Sequence, residues 1–76
     1  MDIEKAKRIV IQELNDAQKH FPSMRSKHEG YAILKEEVEE LWEEIKKSKS
    51  GVYDLKIEDE AVQVAAMAIR FLLDLC

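Results

Sequence analysis

Residues 55–75 read LKIEDEAVQVAAMAIRFLLDL. Wound at about 100° per residue, Ala61, Val62, Val64, Ala65, Ala66, Ala68, Ile69, Leu72 and Leu73 cover more than half of a helical circumference. Asp59, Glu60, Gln63, Arg70 and Asp74 share one narrow strip. A helix apolar over so wide an arc is a buried helix, and a chain of 76 residues offers little to bury it in. The segment therefore predicts an all-α protein whose protomers associate, as a dimer forming a larger bundle. Asp54 is placed to cap this third helix.

Two further helices precede it. Ile3, Ala6, Val10, Leu14 and Ala17 recur at three and four, predicting a helix from Ile3 to Lys19 behind an Asp2 cap. His20-Phe21-Pro22-Ser23 ends it, because the residue before a proline is pushed out of helical conformation. After a polar loop to about Lys27, a second helix is expected from His28 or Glu29 to Lys49. Its stripe is Leu34, Val38, Leu41, Trp42 and Ile45, and its stop is Ser50-Gly51. Residues 1–76 thus read as one three-helix domain with no strand pair.

Charge and cysteine content narrow the function. The net charge of −4 argues against binding a nucleic-acid polymer, which requires a basic face. An anionic substrate would have to be met through a recruited cation. The lone cysteine, Cys76, rules out an intrachain disulfide or a cysteine zinc site and suits a reducing cytoplasm. The apolar run near the C-terminus is interrupted by Gln63, Arg70 and Asp74, too short and too polar for a bilayer.

EEVEELWEE, residues 36–44, carries two interleaved patterns. Glu36, Glu39 and Glu43 fall opposite the apolar stripe, near Lys35, Lys46 and Lys47, and read as a solvated face. Glu37, Glu40 and Glu44 lie on one flank of the stripe, where like charges at a partly buried rim are unfavourable without a cation. Oxygen ligands of this kind suit Mg²⁺ or Mn²⁺ rather than zinc. If helices two and three pack antiparallel, Glu60 and Gln63 approach these carboxylates across the groove.

ExxE at Glu37 and Glu40, followed after a gap by ExxQ at Glu60 and Gln63, resembles the signature of the MazG-like all-α nucleoside triphosphate pyrophosphohydrolases, which is ExxE, a gap, then ExxD. The blocks HEGYAILKEEVEELWEEIKK and EAVQVAAMAIRFLLDL are similar to the phage- and bacterium-associated branch of that family. The resemblance implies a homodimeric or homotetrameric helical bundle that holds Mg²⁺ and cleaves a nucleoside triphosphate to monophosphate and pyrophosphate. Carried onto this chain, it makes Glu37, Glu40 and Glu60 the metal ligands. A nearby glutamate, not specified, would orient or deprotonate the attacking water.

Gln63 departs from the family aspartate. Its amide oxygen is an uncharged, weaker ligand, or the amide hydrogen-bonds a ligand glutamate instead. Two functions follow: an active hydrolase, or a family member that binds nucleotide or metal, or serves structurally, without turnover. Of the remaining candidates, His28 reads as a helix-start residue, with a phosphate contact as the alternative. Arg70 pairs with Asp74 at i+4 or contacts phosphate. Trp42 is expected in the core rather than stacked on a base.

Overall fold

The computed structural model describes residues 1–49 and 51–76. Among these residues the chain is all-helical, with no strand: α1 is Ile3–His20, α2 Lys27–Lys47 and α3 Leu55–Leu75. Each start is set by a side-chain cap that satisfies otherwise orphaned N–H groups. The Asp2 carboxylate accepts from the Lys5 N–H at 2.8 Å, Ser26 Oγ from Glu29 at 3.1 Å, and Asp54 Oδ1 from Lys56 at 2.9 Å.

Three boundaries differ from the expected ones. α1 runs one residue further than Lys19, through His20, with Phe21 as its C-cap. α2 begins a residue earlier because Ser26 supplies the cap, and it ends at Lys47 rather than Lys49. There Ser48 turns out of the helix, and both its N–H and its hydroxyl donate to the Ile45 carbonyl. Gly51, half of the expected stop, adopts φ +82°, a left-handed conformation open to glycine at little cost. Ser50 lies outside the described residues.

α3 is the central element. α2 runs antiparallel to it: Gly30, at the start of α2, approaches Phe71 and Leu75 at the end of α3. α1 packs on α3 as well, while α1 and α2 do not pack on one another. The core is correspondingly thin, made of Leu14, Ala17, Met24, Ala66 and Met67 with Ile33, Leu34, Ile69, Phe71 and Leu75 at its edge.

From Glu60 to Asp74 the polar strip of α3 turns inward, while Asp59 is exposed. Arg70 is 4% exposed, donating from Nη2 to the Pro22 carbonyl at 2.8 Å and from Nη1 to Met67 Sδ at 3.6 Å. Its expected partner Asp74 stands 4.0 Å away and accepts the Met24 N–H at 2.9 Å. These contacts hold the α1–α2 loop on the end of α3. Part of the apolar arc turns outward, leaving Ala61, Leu72 and Leu73 exposed.

Trp42 is a correction. It is 55% exposed rather than in the core, with Lys46 Nζ 5.7 Å from its ring. Val38 and Ile45 on the same stripe are also exposed. The reason is topological: α1 packs only on α3, so this flank of α2 has no neighbour. Among the described residues no helix is long and apolar enough to cross a membrane.

Candidate metal centre

The antiparallel α2–α3 pair brings Glu60 opposite Glu37 and Glu40. One carboxylate oxygen from each of the three lies within 4.8 Å of the others. Glu37 and Glu40 meet because i and i+3 share a helix face, and Glu60 arrives from the first half of the facing helix. The arrangement is electrostatically costly. Burial, then the charges of Glu40, Glu60 and Glu36 and a hydrogen bond with Glu40, push the Glu37 carboxyl up to about 7. Burial and the neighbouring Glu40, Glu44 and Asp59 also raise that of Glu60. Glu60 Oε2 is buried and finds no hydrogen-bond partner among the described residues. A buried carboxylate oxygen left unpaired beside two more carboxylates fits the needs of a hard divalent cation, which takes oxygen ligands and neutralises their charge.

The other glutamates of residues 36–44 sort by face. Glu36, Glu39 and Glu43 are exposed. Glu43 pairs with Lys46 at 2.9 Å, which holds its carboxyl below the usual range, and Glu39 with Lys35 at 3.8 Å. Glu44 sits at the rim and pairs with Lys47 at 3.6 Å.

Beside the carboxylates, a groove of about 470 Å³ opens over α3 between α1 and α2. Ala17, Phe21, Ile33 and Met67 give it apolar walls, and Glu13, Glu29, Glu37, Gln63 and Arg70 its polar ones. Gln63 does not bond Glu37, Glu40 or Glu60: its amide nitrogen donates to Glu13 on α1 at 2.5 Å. Arg70 lines the groove with its guanidinium engaged by Pro22 and Met67. His28 is exposed and borders a separate hollow with Lys27 and Tyr31. Glu29 is held ionised by Arg25, which donates to it at 2.9 Å.

Glu13 and Glu29 are groove residues that sequence reasoning missed. Glu13 lies next to Leu14 at the edge of the α1 stripe, a position with no signature of its own. Only the crossing of α1 over α3, fifty residues away in sequence, gives it a role. No protein-family profile, curated protein or solved structure matches this chain.

Proposed function

We propose that this protein is a Mg²⁺-dependent nucleoside triphosphate pyrophosphohydrolase of the MazG-like all-α kind, with Mn²⁺ as an alternative ion, acting as a homodimer or homotetramer. The observation that carries the reading is the convergence of Glu37, Glu40 and Glu60, with Glu60 Oε2 left unpartnered among the described residues. These three residues would hold the ion, and the amide of Gln63 stands one turn along α3 from Glu60. When bound, Mg²⁺ supplies positive charge to a triphosphate and to the charge developing on its transferring phosphoryl group. An acidic chain needs that charge to approach a polyanion at all.

The chain's own residues would do the rest. To serve as a ligand the Glu37 carboxyl would have to give up its proton, and the positive charge of the ion would offset the burial and the neighbouring carboxylates that raise its pKa. The groove alongside, apolar on several walls and large enough for a nucleoside, excludes water from the organic part of the substrate. Purified protein supplied with Mg²⁺ and a panel of deoxynucleoside triphosphates should release pyrophosphate. Glu37→Gln and Glu60→Gln should each lower kcat by about 100-fold or more, on the scale of losing an electrostatic group at a reacting centre. Turnover unchanged by both substitutions would end this reading.

A second reading rests on Gln63, which brings no charge and is bonded to Glu13. On that reading the fold binds metal or nucleotide without turnover, or serves structurally. Gln63→Asp separates the two. Activity that appears only in Gln63→Asp supports the second reading, whereas activity already present in the natural chain supports the first.

A further inference from the structure

Within the proposed metal site, on which this inference rests, the neutral Gln63 raises a problem of orientation. A carboxylate ligand presents oxygen whichever way it turns, but an amide can present either oxygen or N–H₂. The N–H₂ end would repel a cation.

Glu13 removes that ambiguity. An ionised carboxylate only accepts hydrogen bonds, so the amide atom facing Glu13 is the nitrogen. Flipping the amide would set its carbonyl oxygen against the Glu13 carboxylate, two acceptors with no proton between them. The oxygen is therefore the end left free of Glu13. Gln63 follows Glu60 by one turn of α3 and shares the groove with Glu37. α1, which carries Glu13, and α2, which carries Glu37 and Glu40, both pack on α3 without packing on each other.

We propose that Glu13 is a positioning residue: it locks the Gln63 amide with its oxygen available to the divalent cation, adapting a neutral side chain to a site otherwise built of carboxylates. On this view Glu13 does not touch the ion; it acts through Gln63.

The test is Mn²⁺ affinity of the metal-free full-length chain, read by electron paramagnetic resonance or calorimetry, with circular dichroism confirming that each variant folds. Glu13→Ala should weaken Mn²⁺ binding about 10-fold, the lower end of what losing a ligand-orienting partner costs. Glu13→Gln should weaken binding as well, because its own amide can present N–H₂ as readily as oxygen and no longer fixes which way the Gln63 amide turns. In a Gln63→Asp background the sign should reverse: with no amide to orient, Glu13 is only another negative charge, and Glu13→Ala should leave binding equal or tighter. Three results would each overturn the proposal. They are wild-type affinity in Glu13→Ala, wild-type affinity in Glu13→Gln, and a loss that persists beside Gln63→Asp. A wild-type chain that binds no Mn²⁺ overturns the metal site and this role together. Mn²⁺ binding without pyrophosphate release removes hydrolysis alone, and the same titrations still decide the role of Glu13.

Discussion

Glu37 is where the electrostatics of this chain concentrate, and it makes the metal-free protein sensitive to pH. In the unfolded chain its carboxyl ionises near 4.5, whereas in the folded protein it holds its proton to about 7. Glu36 and Glu40 face it from α2, Glu60 from α3, with Glu44 and Asp59 close to Glu60. Between those two values the folded state binds the extra proton, so this group's stabilisation is complete below about pH 4.5 and is lost as pH rises through about 7. Thermal melts of the metal-free protein should show Tm falling across that window, and Glu37→Gln should flatten the slope. A slope unchanged in Glu37→Gln would locate the sensitivity elsewhere. Helical spacing alone makes the split of the glutamates legible: i, i+3 places Glu37 and Glu40 on one flank, and Glu36, Glu39 and Glu43 are exposed as expected. Spacing could not place Glu13. Its bond to Gln63 depends on how two helices cross, and the local pattern at residue 13 is the same whether or not that crossing occurs.

At the scale of elements, the site depends on how closely α2 and α3 approach. Gly30 sets that approach at one end of the pair, where an added Cβ would lie 2.7 Å from Phe71 Cδ2 and 2.7 Å from Leu75 Cδ1. The tip of Leu75 can move aside at small cost, but the Phe71 ring is stiff and sits at the edge of the core. Alanine is favoured over glycine in a helix interior by about 1 kcal/mol, while overpacking costs about 1–3 kcal/mol. The steric term prevails. Gly30→Ala should therefore lose about 1 kcal/mol in urea unfolding, and Phe71→Leu in the same chain should recover part of that loss. A stabilised Gly30→Ala would show that the two helices can separate freely. The helix starts followed from their caps, Asp2 and Asp54, because capping is local chemistry. The α2 terminus and the fate of Trp42 did not, since the first turns on Ser48 and the second on which helix α1 chooses as its neighbour.

The whole molecule is under-packed for its size. Its radius of gyration is 13.2 Å, against about 11 Å for a compact chain of this length. Its accessible surface is 5719 Å², against roughly 4,800 Å² for a folded monomer of its mass. The excess, on the order of 900 Å², is close to the roughly 800 Å² that each partner contributes to a standard interface. Its apolar share includes Val38, Trp42 and Ile45 on α2, with Leu72 and Leu73 on α3. These are the side chains that the wide arc of α3 and the stripe of α2 mark for burial, and no other helix of the same chain covers them. A core this small supplies only about 3–5 kcal/mol, so association would provide much of the stability. Sedimentation should show an oligomer, and Tm should rise with protein concentration, as mass action requires when only the folded chain associates. Trp42 is the informative position to change: it is exposed in the single chain, so a charge there strains nothing within it. Trp42→Glu should abolish the concentration dependence of Tm and shift sedimentation to the monomer, while circular dichroism at low temperature stays helical. A wild-type chain that sediments as a monomer with a concentration-independent Tm would mean that three helices with an open flank are sufficient. The carboxylate site would then have to work on a single protomer.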